Sequence, residues 1–463
     1  MSVVSKNNVR KQFAIAMSTM YQQEVPLYGT LKNMVEDINR DELNTNVALV
    51  EQLTAGNNLA RLAEERHGAI RVGSAKELSA IRRLFSVMGM YPVGYYDLSV
   101  AGIPVHSTAF RPLTHADLSV NAFRDFTSLL RLDFISDKVL REKVEGILLQ
   151  RRICSPRLLA LINQFESSGD LKGDDAKEFL EESLNVFRWH PDAAVDVDLY
   201  QELLRLHPLI ADVVSFKGPH INHLTPATVN IDRAQQEMKK RGIDAKAIIE
   251  GPPTRHCPIL LRQTAFKSLS ERVVFPHSNG ERVVSSHTAR FGEIEQRGIA
   301  LTPKGQALYD RLLNQTRARV VPDGKGDNAG EYDITLGEEF AAFPDNYNEL
   351  RLQNLAYFYF SVNHKVTAQP RDHERNIKSL MANGHVRFDP IIYEDFLPVS
   401  AAGIFQSNLD SAKNKSFTLK NNRDEFESAL GASVECIFEH YEAIQKESID
   451  RCVKYFSKKY REK

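Results

Sequence analysis

The chain has 463 residues, of which 42% are hydrophobic and 26% charged. That apolar content supports a large core and excludes extensive disorder. With 59 basic and 60 acidic residues the formal net charge is −1, so bulk charge gives no reason to expect a nucleic-acid partner. At roughly 150 residues per domain, the length allows about three domains or one elaborate one. Four cysteines, Cys154, Cys257, Cys436 and Cys452, form no CxxC pair and fit a reducing compartment. Charges are scattered from Met1 to Met20, without the apolar stretch of a secretion signal. No segment approaches the ~20 apolar residues of a membrane helix. The expectation is a cytoplasmic protein with no membrane partner.

In chain order, apolar residues at helical spacing predict helices over 9–21 and 46–65. His67-Gly68-Ala69-Ile70-Arg71-Val72-Gly73 is short and rich in small and β-branched residues, the pattern of a strand. Ser74 and Glu77 stand at capping-box spacing and open an amphipathic helix over 75–88. Residues 91–111 read as strands broken by a turn at Gly102-Ile103-Pro104. A long helical tract is expected over 121–206, with Pro208 as its stop. The earlier order then returns. A strand over 221–225 precedes a helix over 232–242 ended by Gly242, then strands over 257–266 and 281–300. Residues 321–332 read as a Gly- and Asp-rich loop, and 424–460 as helix. The fold class expected is α+β, with a βαβββ unit occurring twice around a helical insertion. The divisions are an N-terminal helical region (1–63), a first βαβββ-like module (64–115), the insertion (116–212), a second module (213–305) and a mixed C-terminal region (306–463).

Three short segments could carry chemistry. In Phe291-Gly292-Glu293-Ile294-Glu295-Gln296-Arg297-Gly298, a strand places Glu293, Glu295 and Arg297 on one face. That is either a solvated charge ladder on an edge strand or a carboxylate aimed into a metal site. In His220-Ile221-Asn222-His223, the flanking Pro219 and Pro226 favour an extended segment. At that spacing the two histidines face opposite sides, so at most one serves a given site. In the first strand, His67 and Arg71 share a face. A neutral imidazole can bind a metal, and a guanidinium can hold a carboxylate in a two-pronged fork. Two histidines and one carboxylate make up the facial triad of non-haem Fe(II) oxygenases, which leaves coordination positions for a 2-oxo acid and dioxygen.

Glu293-Ile294-Glu295-Gln296-Arg297 resembles the E-I-I-Q-R strand of the hydroxyphenylpyruvate dioxygenases, which implies Glu293 rather than Glu295 as the ligand. Ile221-Asn222-His223-Leu224 looks like the first strand of a vicinal-oxygen-chelate module. Over nearly its full length the chain is more similar still to the 2-oxoadipate dioxygenase/decarboxylase, or D-2-hydroxyglutarate synthase, family. That similarity is carried by the segment from His67 to Gly73, by Gly218-Pro219-His220-Ile221-Asn222-His223-Leu224-Thr225-Pro226, by His287-Thr288-Ala289-Arg290-Phe291-Gly292-Glu293, and by Leu397-Pro398-Val399-Ser400-Ala401-Ala402-Gly403.

The family resemblance implies two vicinal-oxygen-chelate-like modules forming a partly closed central sheet. It implies Fe(II) held by His67, His223 and Glu293, Arg71 as a substrate anchor, and Val399 and Ser400 lining the pocket. The implied reaction takes 2-oxoadipate and O2 to D-2-hydroxyglutarate and CO2, of the lysine-catabolism type. The sequence departs from the hydroxyphenylpyruvate enzymes at Glu295 and in its helical insertion, which counts against an aromatic substrate. By residue type alone zinc, nickel or manganese would also suit the triad. An aromatic 2-oxo acid dioxygenase, a glyoxalase-type lyase or a non-catalytic small-molecule binder on the same scaffold are the alternatives. Of the remaining candidates, His287 is expected at the surface, with approach to the site as its alternative. Arg262 and Gln263 lie in a second-module strand and could contact substrate. Cys257 reads as a small core residue.

Overall fold

The computed structural model describes residues 3–55, 58–277, 280–323, 326–366, 370–371, 376–397 and 422–458. Three helices, α1 (Lys6–Glu24), α2 (Pro26–Thr45) and a short one at Val47–Ala55, precede β1 (His67–Val72), the first strand of the main sheet. The helix α3 (Ala75–Val87) follows, then strands β2 (Tyr91–Asp97), β3 (Val105–Arg111) and β4 (Arg124–Leu130). Ser74 caps α3 by accepting from the Glu77 amide, as its position predicts. Helices α4 (Lys138–Gln150), α5 (Pro156–Ser168), α6 (Gly173–Phe187), α7 (Val197–Leu206) and α8 (Pro208–Ser215) make up the insertion.

The second half begins with β5 (His223–Thr225) and α9 (Ile231–Lys240), closed by Gly242 at φ +71°. Strands β6 (Leu261–Ala265), β7 (Ser270–Pro276), β8 (Arg282–Thr288) and β9 (Phe291–Arg297) follow. The sheet that carries the site has seven strands in the order β2-β3-β4-β1-β5-β9-β6. Its halves meet where β1 runs antiparallel to β5, pairing His67 with Thr225 and Ala69 with His223. In each half the first strand lies parallel to the last, β1 beside β4 and β5 beside β9. The architecture is α+β, with two related halves forming one curled sheet, as in vicinal-oxygen-chelate folds.

Several elements depart from the sequence reading. The strand β4 lies inside the tract expected to be helical from Asn121. All seven of its residues are buried, so it shows no in–out alternation, and its pairing with β1 and β3 decides its state. Pro208 ends one helix but is also the first residue of α8, where its missing N–H costs nothing. The helix expected over 46–65 stops at Ala55, and turns from Asn58 to Glu64 send Arg61 and Glu65 inward. In the second half, β7 and β8 leave the main sheet as a separate hairpin, so β6 pairs directly with β9. The loop expected over 321–332 gives way to a helix at Ala329–Phe340. The C-terminal helix is split into Asn422–Leu430 and Ile437–Lys458, with Gly431 at φ +71° between them.

The two faces of the sheet differ in chemistry. On β1, Ile70 and Val72 join the apolar core beneath α1 and α3. His67 and Arg71 point to the concave side, where Ala69 packs in a second core with Phe126 and Phe396. Helices α1 and α2 hold the convex face. The Tyr21 hydroxyl lies 2.9 Å from the Asn222 carbonyl and 2.8 Å from the Phe291 carbonyl, bridging β9 and the approach to β5. Gly292 lets α2 come close. A Cβ there would stand 2.5 Å from Phe266 Cε1 and 2.8 Å from Leu31 Cδ2. A Gly292→Val substitution is therefore expected to lower unfolding free energy by about 1–3 kcal/mol, as overpacking does. Urea unfolding of the variant measures this, and an unchanged midpoint contradicts the packing.

Candidate metal centre

The first strands of the two halves bring His67 and His223 side by side, and β9 adds Glu293. One ligand atom from each of the three lies within 4.8 Å of the others, and all three residues are fully buried. His67 Nε2 is 2.9 Å from Glu293 Oε1, and the two imidazole rings meet edge to face at 5.5 Å. Thr225 sits between them, its hydroxyl 3.1 Å from His67 Nε2 and donating to Glu293 Oε1 at 3.2 Å. Gln263 Nε2 donates to the same carboxylate oxygen at 2.5 Å. Gln263 thus reaches the site through Glu293, while its neighbour Arg262 turns away to a fork on Asp232 at 2.6 and 2.9 Å.

The polar atoms left over fit a cation. Among the described residues, both ring nitrogens of His223 and Oε2 of Glu293 are buried without a hydrogen-bond partner. Stranding such atoms costs about 1–3 kcal/mol each, a cost a bound metal would remove. Burial, with His67 and Arg71 adding positive charge nearby, holds His223 well below the usual histidine range. It is therefore neutral, with a lone pair to donate.

Glu295 occupies the other side of His67. Its Oε2 is 2.9 Å from His67 Nδ1, so the imidazole stands between two carboxylates. Glu295 is held in turn by Arg297, whose Nε and Nη2 donate at 2.5 and 2.8 Å. Burial alone would raise Glu295, but Arg297, His67 and Arg124 outweigh it and keep the carboxylate well below its usual range. The predicted common face of Glu293, Glu295 and Arg297 is present. It is not a solvated edge ladder, because β9 lies inside the sheet and all three are buried. A carboxylate behind the distal nitrogen of a ligating histidine fixes its tautomer and orientation.

Arg71 lies on the same side of β1 and donates to Asp212 Oδ2 at 2.7 Å. Asp212 Oδ1 is also 2.9 Å from His287 Nε2 and 3.3 Å from His220 Nε2. Burial works against its charge, but His220, His287 and Arg71 together hold this carboxyl well below its normal range. The surface position expected for His287 is corrected: it is 3% exposed and bonds Tyr200 as well as Asp212. Its strand leaves the sheet as a hairpin and folds over α7 and α8, which is what buries it. Cys257 is a buried core residue, as read. Val399 and Ser400 lie outside the described residues.

Asp212 and Thr225 were not singled out from the sequence. Asp212 did leave a trace, as the lone charge in the apolar run Leu209-Ile210-Ala211-Asp212-Val213-Val214. Thr225 lay within a quoted motif but carried no distinguishing signal.

The sequence pattern of the 2-oxoadipate dioxygenase/decarboxylase family matches residues 13–408. The chain belongs to this family. It is 51% identical over 451 residues to the 2-oxoadipate dioxygenase/decarboxylase of Pseudomonas putida, covering 97% of each chain. With the Escherichia coli protein of the same name it shares 49% identity, over 97% of this chain and 98% of that one. The crystal structure of the hydroxyglutarate synthase from Pseudomonas putida in complex with 2-oxoadipate superposes with a TM-score of 0.90 at 48% identity. That alignment covers 99% of this chain and 100% of that one. Among the described residues, no helix is long and apolar enough to cross a membrane.

Two outcomes are expected from this geometry. Glu295→Gln removes the charge behind His67 and lowers metal affinity by about 10–100-fold, read by anaerobic Fe(II) titration; unchanged affinity contradicts the positioning. Metal affinity also falls on acidification. Burial disfavours protonated His67, but Glu293 and Glu295 prevail and raise its pKa above the usual histidine value. Because a proton on His67 competes with the metal, the loss begins above pH ~6.5 and deepens as pH falls. An affinity flat through that window rules out His67 as a ligand.

Proposed function

We propose that this chain converts 2-oxoadipate and O2 to D-2-hydroxyglutarate and CO2, using Fe(II) held by His67, His223 and Glu293. The observation that carries the reading is the buried His67–His223–Glu293 group, in a chain half identical end to end to proteins named for that activity. Iron is favoured among the metals that accept two imidazoles and a carboxylate because that set leaves positions open for a chelating 2-oxo acid and for dioxygen.

When bound, Fe(II) supplies the chelation of the 2-oxo acid and the activation of O2. The protein's own part is binding, orientation and exclusion of water. His223, kept neutral by burial, offers a lone pair without first losing a proton. Glu293 is turned by Thr225 and Gln263, which both occupy Oε1 and leave Oε2 unengaged. Glu295 holds the His67 ring from behind through Nδ1. Arg71 is the substrate anchor, its guanidinium pairing with a carboxylate of the dicarboxylic acid. Asp212 orients that guanidinium from one side, and charge-assisted bonds of this kind contribute about 1.5–3 kcal/mol. The family resemblance assigns Val399 and Ser400 to substrate contact as well. Phe396 packs against the His67 ring at 4.8 Å and seals the concave side with Phe126. A dry, closed site protects the reaction from side paths with water. O2 is the oxidant, and the electrons it takes come from the substrate's own decarboxylation and hydroxylation, so the reaction calls for no nicotinamide or second 2-oxo acid. The setting is cytoplasmic lysine catabolism.

Oxygen uptake by anaerobically iron-loaded protein on addition of 2-oxoadipate, with products read by mass spectrometry, tests the reading. Uptake matched by CO2 and 2-hydroxyglutarate is expected. Iron-loaded protein that consumes no oxygen refutes the reaction. His67→Ala, His223→Ala and Glu293→Ala each abolish turnover, and full activity in any one removes that residue from the ligand set. Arg71→Ala raises the Michaelis constant by about tenfold or more, the loss of one charge-assisted contact; an unchanged constant refutes the anchor.

A further inference from the structure

Behind the metal centre, on the side of His67 away from Glu293, lies a group of buried charges that the proposed reaction does not use. Arg61, Arg66 and Arg124 are buried there, as is the side chain of Arg297, and they face the carboxylates of Glu295 and Glu394. Four guanidiniums against two carboxylates leave two positive charges out of water. Burial is expensive for unmatched charge.

The imbalance is concentrated at Arg66. Arg297 spends its donors on Glu295 and on the Tyr393 and Asp395 carbonyls. Arg61 and Arg124 both pair with Glu394. Arg66 is only 7% exposed, and among the described residues its side chain has no hydrogen-bond or ion-pair partner. It borders a cavity of about 380 Å³, whose wall also includes Arg297, Thr228 and the apolar side chains of Leu49, Leu53 and Ile299. Glu42, at the same cavity, is already bound to Asn230 and Arg233.

We propose that this cavity is a second binding site, separate from the metal pocket, for a small organic acid whose carboxylate takes the free fork of Arg66. A guanidinium is shaped to hold a carboxylate through two parallel bonds, and the apolar wall suits a short carbon chain better than a bare inorganic anion. The volume accommodates an acid of several carbons. An anion there supplies negative charge to a cluster that lacks it. The inference rests on the unpaired arginine and its cavity, and it stands whichever reaction the metal centre performs.

Isothermal titration of metal-loaded protein under anaerobic conditions, at constant ionic strength, tests this with glutarate and inorganic phosphate as probes. Arg71→Met provides the background, since it weakens capture in the metal pocket. Glutarate is expected to bind saturably in that background, and adding Arg66→Met to weaken it by about tenfold or more, the loss of a charge-assisted fork. Leu49→Trp, at a half-buried wall position remote from the charges, fills the cavity and weakens glutarate binding too, so the test survives if Arg66→Met fails to fold. No glutarate binding in the Arg71→Met protein, or equal binding with and without Arg66, overturns the site. Unchanged binding in Leu49→Trp does the same. Phosphate binding without glutarate binding overturns the organic-acid class.

Discussion

His67 lies between two carboxylates, and the arrangement of the concave side follows from that contact. Glu293 meets Nε2 and Glu295 meets Nδ1, each at 2.9 Å, from residues two apart on one strand. The period of a strand puts both acids on one face, and β5 between β1 and β9 sets the imidazole across from them. A histidine gripped on both nitrogens has one orientation. Exchanging Glu293 for a metal at Nε2 leaves Glu295 in place to keep the ring there. The grip needs compensation, because two acids this deep are costly to keep charged. Arg297 and Arg124 offset Glu295, while Thr225 and Gln263 bond Glu293. Removing one partner from such a buried pair costs about 3–5 kcal/mol, so the metal centre and the charges around it stand or fall together.

The two ends of the concave side are built differently. At the Arg71 end, one carboxylate, Asp212, gathers an arginine and two histidines from a strand, a loop and the β7–β8 hairpin. There the arginine is tethered and oriented. At the Arg66 end, among the described residues, arginines outnumber carboxylates and one guanidinium is left without a partner. The first arrangement suits positioning a substrate whose chelating end is fixed elsewhere, and the second suits taking up a free anion. The helical insertion accounts for part of this asymmetry, since α8 delivers Asp212.

Much of the site was legible in the sequence because its signals are local. The His67–Arg71 spacing, the prolines around His220 and His223, and the alternation of Glu293, Glu295 and Arg297 all fix side-chain direction within one strand. The order of elements in the first half was legible for the same reason, through the Ser74 cap and the Gly102 turn. What was not legible depends on partners far away in the chain. The strand β4 is buried on both faces and loses the alternation that marks a strand. The β7–β8 hairpin leaves the sheet because of tertiary packing, which brings His287 inward against a residue 75 positions earlier. Glu394 and Arg124 form an ion pair across 270 positions, and no motif joins them.

The central claim is that His67, His223 and Glu293 hold the metal while Glu295 stays behind His67 as its support. Anomalous diffraction at the iron edge, from crystals grown anaerobically with Fe(II), tests this most directly. The account predicts one strong peak bonded to His67 Nε2, His223 and Glu293, with Glu295 still against His67 Nδ1. A peak on Glu295, or one that leaves His223 uncoordinated, would contradict it.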